Sequence, residues 1–313
     1  MNISTLLLSI FTIVQFNCEN LFDCQHDSLK QDYEFMPAGA RHWTASRYWK
    51  KLTDVGQTIL SCQSDSNVLH FPDLVVLCEV ENDTVMRDLT KRSVLRGARY
   101  QYIMTDSPDR RGIDVAILYS PSTFKLLHHT SINVPMPENI RPTRDVIYAC
   151  GMLASDDTLH VFALHAPSRS GGERATRELR LRVARRIGES IDSIRQISPN
   201  AHIVVTGDFN AYHNNPSMKL YGQKNLVNIS EKAKGMNMAE GTYKYQGIWK
   251  SLDHIFTTLS LVEKLTQVYI NDSYFLLEED EKYGGKQPFR TFYGYTYKGG
   301  VSDHLPLVAT FKF

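Results

Sequence analysis

The stretch His202-Ile-Val-Val-Thr-Gly-Asp-Phe-Asn-Ala-Tyr212 constrains this chain most. Ile203, Val204 and Val205 form a β-branched run that reads as a short buried strand. Gly207 breaks the run and lets the backbone turn sharply. Asp208 and Asn210 follow two residues apart, so both point the same way off the strand end. One is an anionic oxygen donor; the other is a neutral amide that accepts and donates hydrogen bonds. Such a pair suits a site holding a hard cation and a water beside a phosphate. A plain polar turn has the same composition, because Gly, Asp and Asn are ordinary turn residues. The rest of the chain decides between the two.

The chain has 313 residues, 42% of them hydrophobic, enough for a substantial core in one large α/β or sandwich domain. No internal repeat, low-complexity tract or linker-like boundary divides it, so a single domain over 1–313 is expected. The formal net charge of +1 excludes a global basic field, and a polyanion would have to meet a local patch. Cys18, Cys24, Cys62, Cys78 and Cys150 lack paired metal-site spacing and read as free thiols, which argues against a thiolate zinc site. Leu6 to Val14 is apolar enough for the core of a signal peptide, but no Lys or Arg precedes it and no small-residue cleavage site follows. The same residues run into Phe16-Asn17, which favours a first strand; residues 1–11 are the part that a signal segment would have left. No other stretch approaches the roughly 18 apolar residues of a membrane span.

Taken in order, the chain reads as strands separated by a few helices. Thr12 to Cys18 is the first strand, ending in the polar cluster Asn17-Cys-Glu-Asn-Leu-Phe-Asp23. Thr44 caps a helix to about Cys62, with Trp49, Leu52, Val55, Ile59 and Leu60 on its buried face. Leu74 to Val80 is a buried strand interrupted by Glu79, a carboxylate that must be paired, hydrated or bound to metal. Asp83 caps a short helix to about Leu95. Strands at Tyr100 to Thr105 and Ile113 to Tyr119 flank the loop Asp106-Ser-Pro-Asp-Arg-Arg-Gly112, and Asp114 sits within the second. Further strands span Phe124 to Val134, Val146 to Leu153 and Leu159 to Leu164. The last ends at His165-Ala-Pro-Ser168-Arg169-Ser-Gly-Gly172, a composition suited to an oxyanion. Glu173 to about Gln196 is a long helix with Leu179, Val183, Ile187, Ile191 and Ile194 buried and its arginines, Arg180 included, on the outer face. A mixed loop-helix region, Asn214 to Met238, precedes a strand near Asp253. Asn271 to Gly300 is a long aromatic excursion, read as a functional loop rather than disorder. The chain closes with Ser302-Asp303-His304 and an alternating strand.

Asn17, Glu79, His165, Asp208, Asn210, Asp253, Asp303 and His304 thus each lie at or beside a strand end. Two packed sheets with helices outside would let their loops gather these residues at one rim. The ordered segments Phe16-Asn17-x-Glu19-Asn20-Leu-Phe-Asp23, Leu77-Cys-Glu79, Gly207-Asp208-Phe-Asn210, Leu252-Asp253-His-Ile and Ser302-Asp303-His304-Leu-Pro306 resemble the motifs of the endonuclease/exonuclease/phosphatase superfamily. This is the metal-dependent phosphodiesterase fold of pancreatic deoxyribonuclease, abasic-site endonucleases, sphingomyelinases and inositol-polyphosphate phosphatases. The resemblance runs from Phe16 to Phe313. Ala163-Leu-His165-Ala-Pro-Ser168 is similar to the deoxyribonuclease branch. Pro167 to Gly172 and Pro288 to Tyr293 look like a bacterial subgroup of undefined substrate.

The resemblance implies a four-layer α/β/β/α sandwich of two mainly antiparallel sheets, and Mg²⁺, with Mn²⁺ or Ca²⁺ as substitutes. It implies Asn17, Glu79 and Asp303 on the metal side, and Asp208 and Asn210 on the attacking water and phosphate. It also implies an Asp253–His304 pair and His165 as the second histidine. We expect His304 to be the base, oriented by Asp253; the alternative gives that role to Asp208. His165 is expected to be held protonated by a carboxylate, with Asp114 as its supporting partner. Arg169 and Arg290 are candidates for phosphate contact, against surface or ion-pair roles. Tyr293 and Tyr295 either stack on a base or lipid headgroup or pack within their own loop. The expected activity is phosphodiester hydrolysis, endonuclease-like, on DNA or RNA. The alternative is a phosphatase or phosphodiesterase acting on a small-molecule or lipid phosphoester, which the near-neutral charge favours. A third reading is a non-catalytic binding protein, disfavoured by the full set of acids and histidines. A monomer is expected, in the bacterial cytoplasm or exported.

Overall fold

Ile203, Val204 and Val205 form the heart of β8 in a six-stranded sheet. The computed structural model describes residues 9–63 and 70–313; the start of the apolar N-terminal run, Leu6 to Leu8, lies outside them. In chain order the sheet strands are β1 (Ile10–Leu21), β2 (Leu74–Val80), β3 (Gln101–Met104), β4 (Asp114–Tyr119), β5 (Phe124–Ile132) and β6 (Val146–Leu153). They continue with β7 (Thr158–His165), β8 (His202–Asp208), β9 (Leu226–Asn228), β10 (Asp253–Thr258), β11 (Leu265–Ile270) and β12 (Leu307–Lys312). One sheet has the order β11-β12-β1-β2-β4-β3 and the other β5-β6-β7-β8-β10-β9. Each sheet holds one parallel pair, β1/β2 and β7/β8, among antiparallel neighbours.

The central strands β2, β4 and β8 are buried on both faces, which is why they read as apolar runs rather than alternations, whereas the edge strands β3, β5 and β11 are largely exposed or half-buried. Val204 points into the core shared by the two sheets, while Ile203 and Val205 join Val183, Ile187 and Ile191 of a covering helix. That helix is α3 (Glu173–Ile197); α1 (Ala45–Leu60) covers the other sheet through Tyr48, Leu52, Val55 and Ile59. Together with α2 (Asp83–Arg87) and α4 (Pro216–Gln223) this is the α/β/β/α sandwich. No helix among the described residues is long and apolar enough to cross a membrane.

Some faces differ from expectation. Trp49 is exposed and Leu60 half-buried, whereas Tyr48 and Lys51 take the interior positions on α1. On α3, Leu179 and Ile194 are half-buried, and Arg180 turns inward. Its guanidinium donates to Thr176 Oγ1 at 2.7 Å and to the Glu173 carbonyl at 2.9 Å, so helix ends and loop carbonyls replace water. The loop regions carry three hairpins: Tyr243–Tyr245 with Ile248–Lys250, Leu277–Glu279 with Lys286–Pro288, and Phe292–Tyr293 with Thr296–Tyr297. The first turns on Gln246 and Gly247, both left-handed, the geometry of a two-residue hairpin. The five cysteines are free, three of them buried.

Candidate active site

The two parallel pairs end at the same rim. Asn17 lies where the β1/β2 register breaks, Glu79 is the penultimate residue of β2, and His165 and Asp208 end β7 and β8. β10 runs antiparallel to β8, so its first residue, Asp253, lies in register with Asp208. The sheets are clamped together here: Gln15 Nε2 donates to Asp253 Oδ1 at 3.2 Å, and Asn17 Nδ2 to Asp208 Oδ2 at 3.1 Å. Gly207 makes the approach of β8 to β7 possible. Its φ is +153°, and a Cβ there would sit 1.9 Å from the Leu164 carbonyl oxygen.

Backbone irregularity aims the acids. The β1/β2 register shifts between Asn17 and Leu21, and the β2/β4 register shifts between Cys78 and Val80. Glu19, Asn20 and Glu79 are all left-handed, with φ of 49°, 59° and 63°. Such conformations cost energy in non-glycine residues and persist where the surroundings impose them, often at functional sites. Here the Asn20 N–H donates to Glu79 Oε2 at 2.9 Å, while Oε1 takes no hydrogen bond from the described residues.

His304 and Asp253 form a pair, Nδ1 to Oδ2 at 2.7 Å, and Thr242 Oγ1 donates to the same oxygen at 2.6 Å. Burial works against a charged imidazole, but the Asp253 carboxylate overrides it and holds the His304 pKa well above the usual value. Burial likewise opposes ionisation of Asp253, but His304 keeps its pKa low. Asp208 is pushed up to about 7, first by burial and then, against the pull of His304, by the neighbouring Asp253. Asn210 is left-handed, donates its N–H to Asp208 Oδ1 at 2.8 Å, and anchors its amide on the Ala166 carbonyl.

His165 differs from expectation. Its Nε2 lies 3.6 Å from Asp208 Oδ2 and 3.9 Å from Glu79 Oε1, while the buried Nδ1 has no hydrogen-bond partner among the described residues. Burial, then the Arg144 and Arg111 charges, hold its pKa well below the ordinary value, so the ring is neutral. Nor does Asp114 support it. Asp114 Oδ1 is taken by Ser107 N–H at 3.0 Å, Ser107 Oγ at 2.6 Å and Thr105 Oγ1 at 2.5 Å.

These side chains line a cavity of about 340 Å³ that holds Glu79, His165, Asp208, Asn210, Asp303 and His304 together. A family model described as "Endonuclease/Exonuclease/phosphatase family" matches residues 12–312. The chain belongs to the endonuclease/exonuclease/phosphatase family. An endonuclease/exonuclease/phosphatase family protein from Bacteroides thetaiotaomicron superposes with a TM-score of 0.63 at 15% identity, covering 98% of both chains. A mannosyl-6-phosphatase of the same organism gives 0.60 at 16% identity over 96% of this chain and 98% of that one. The human Nocturnin catalytic domain, solved with a bound sulfate anion, gives 0.57 at 18% identity over 97% of each. These likenesses concern the fold. No curated protein matches the sequence significantly.

Within this endonuclease/exonuclease/phosphatase framework the two arginine candidates part. Arg290 lines the cavity and pairs with Asp303, Nη2 to Oδ2 at 2.5 Å. Arg169 stacks instead on the Tyr212 ring at 4.2 Å, which Lys250 also approaches at 4.4 Å. Tyr293 and Tyr295 are both exposed on their hairpin, and the Arg41 guanidinium lies 5.4 Å from the Tyr295 ring.

Sequence reasoning missed Lys51, Arg41, Arg111 and Arg144, and it named Glu19 within the Phe16–Asp23 motif without giving it a role. Glu19 lines the cavity and accepts the N–H groups of Thr291 at 2.6 Å and Phe292 at 3.1 Å. Burial, followed by the Asp303 charge, raises its pKa to about 7. Lys51, fully interior, donates to the Glu19 carbonyl at 3.2 Å and to Thr291 Oγ1 at 2.5 Å, tying α1 to the end of β1 and the late loop. Only its position on the buried stripe of α1 could have flagged it.

The family generally uses divalent metals, and the donor set fits one. Asp208, Asp253 and His304 place ligand atoms within 4.8 Å of one another and could hold a metal ion. Asp253 Oδ2, however, is already engaged by His304 and Thr242. The least committed donor is Glu79 Oε1, a hard oxygen of the kind Mg²⁺, Mn²⁺ and Ca²⁺ prefer, whereas both oxygens of Asp208 already accept hydrogen bonds from Asn17 and Asn210. Two carboxyls with pKa near 7, Glu19 and Asp208, mark an excess of buried acid that a nearby cation would offset.

Proposed function

We propose that the protein is a divalent-cation-dependent phosphoester hydrolase whose reacting groups are Asp208, Asn210, Asp253, His304 and His165. The observation that carries this reading is the meeting of the Asp253–His304 pair with Asp208 across one rim, with Glu79 facing them. Glu79, with Asn17 and Asp303 behind it, would hold Mg²⁺, which when bound neutralises charge on the phosphoryl oxygens.

The electrostatics support the second assignment of the base. His304 is held protonated by Asp253, so it serves as a cation and proton donor at a phosphoryl oxygen. Asp208, with its pKa near 7, is matched to accept a proton from water at neutral pH. Asn210 fixes the Asp208 carboxylate through its N–H and offers its amide to the same centre. His165, neutral and lacking a partner at Nδ1 among the described residues, is a hydrogen-bonding wall rather than a cation. Arg290, braced by Asp303, presents its remaining face to the cavity.

A small phosphoester fits the site better than an endonuclease substrate. A cavity of about 340 Å³ matches the small end of ligand pockets, and the net charge of +1 offers no field for a polyanion. The test is a Mg²⁺-dependent assay run in parallel on plasmid DNA, RNA, bis-p-nitrophenyl phosphate, sphingomyelin, sugar phosphates and inositol phosphates. His304→Ala and Glu79→Ala should each lower turnover by roughly 10²–10⁴. Near wild-type turnover in both variants would end the assignment.

A further inference from the structure

The loop Asp106 to Gly112 is built with more care than a connection between two strands requires. Asp114 anchors its start through Ser107. Lys30 Nζ donates to the Ser107 carbonyl at 2.7 Å and the Asp109 carbonyl at 3.2 Å. Asp109, itself buried, uses both oxygens: Oδ1 accepts the Arg111 N–H at 2.8 Å, and Oδ2 accepts Arg144 Nη1 at 3.2 Å. Arg144 also donates from Nη2 to the Ala166 carbonyl at 2.9 Å, one residue past His165. One carboxylate thus orders two arginines that both line the cavity beside His165.

Charge pairing sets Arg111 apart. Among the described residues the other cavity arginines each have a carboxylate: Arg41 has Glu34, Arg144 has Asp109 and Arg290 has Asp303. Arg111 has none within 4.0 Å; its Nη2 donates to the neutral side-chain oxygen of Asn20. Asn20 is the residue whose N–H holds Glu79, so the unpaired guanidinium is tethered beside the acid wall. Arg111, Arg144 and Asp109 together leave one positive charge facing the cavity.

Resting on the hydrolase reading above, we infer that Arg111 and Arg144 form a guanidinium subsite for the second negative charge of a terminal phosphate. The subsite would make phosphomonoesters the preferred substrates. A monoester carries close to two charges at neutral pH and three free oxygens; a diester carries one charge and two. The extra oxygen is the group the pair is placed to hold.

The test compares p-nitrophenyl phosphate with bis-p-nitrophenyl phosphate, which share a leaving group, with Mg²⁺ present. Wild type should show the higher kcat/KM on the monoester. Arg111→Met should lower that value by about tenfold or more, as for loss of a charge-assisted hydrogen bond, and the diester value by less than about threefold. Arg144→Met should behave likewise; Arg111 is exposed, so its variant keeps the test alive if burial of Arg144 makes the other unstable. A second readout is calorimetric binding of inorganic phosphate without divalent cation, which Arg111→Met should weaken by a similar factor. Equal losses on both esters, or a wild type that favours the diester, overturn the inference. A wild type inert on every phosphoester rejects the hydrolase reading, whereas phosphate binding that survives in Arg111→Met rejects the subsite whatever the activity.

Discussion

Glu81 illustrates what a single buried carboxyl does to this protein. Its Oε2 accepts the Asp23 N–H at 2.7 Å, and its Oε1 is buried with no hydrogen-bond partner among the described residues. Burial, then the Asp23 charge, raises its pKa to about 8 from an ordinary value of 4.5. A folded-state pKa above the unfolded one means the native state binds the extra proton between those values. The stabilisation is complete below pH ~4.5 and is lost as pH rises through about 8. Glu81→Gln removes the ionisation and keeps the acceptor. Thermal melts from pH 5 to 9 should therefore show wild type losing stability relative to Glu81→Gln steadily from pH 5 to about 8 and no further beyond it. Parallel curves for the two proteins would contradict the assignment. In the proposed mechanism the same reasoning would make Asp208 the base and His304 the cation: both are buried, but only His304 has a dedicated counter-charge in Asp253.

At the scale of elements, the pairing of β7 with β8 carries the site, because Leu164 faces Gly207 and His165 faces Asp208 in register. A methyl group on Gly207 meets the Leu164 carbonyl oxygen at 1.9 Å, and its nearest neighbours are all backbone atoms of Leu164, with nothing flexible to yield. Gly207→Ala should cost upward of ~2 kcal/mol and move His165 away from Asp208. Gly97→Ala, where nothing lies within 4 Å of the added carbon, is the control. Urea unfolding of both measures the difference, and equal midpoints would dismiss the close approach. Which elements could be read beforehand follows from locality. Strands such as Ile203 to Val205 announce themselves through apolar runs, and Glu79 through interrupting one. Lys51 and Arg180 do not, because a long cation buried against carbonyls looks in sequence like one on a wet face. A loose motif match does not give the partner of Asp114, because the Ser107 loop that satisfies it is set by the fold rather than by local pattern. The hairpin strands after Asn271 are only two or three residues long, so their periodicity is too brief to register.

At the scale of the whole molecule, two sheets meet so that acids from β1, β2, β8 and β10 crowd one rim. That rim is where the fold is least content with its own charges: Glu19 and Asp208 have pKa near 7 because burial and neighbouring carboxylates disfavour ionisation. A divalent cation bound there would lower that repulsion in the folded state alone, since the unfolded chain does not assemble these residues. Binding only the native state stabilises by about 2.7 kcal/mol at a hundred times Kd, which is a few degrees in Tm for a chain this long. Melting in EDTA and then in excess Mg²⁺ or Mn²⁺ should show that rise. Glu79→Gln keeps the acceptor for the Asn20 N–H but removes the least committed charged donor. It should melt at or above wild type in EDTA, because one repelling charge has gone, and it should lose most of the metal-induced shift. A variant that shifts as far as wild type would place the cation elsewhere, and the Asp208–Asp253–His304 group would then be the place to look.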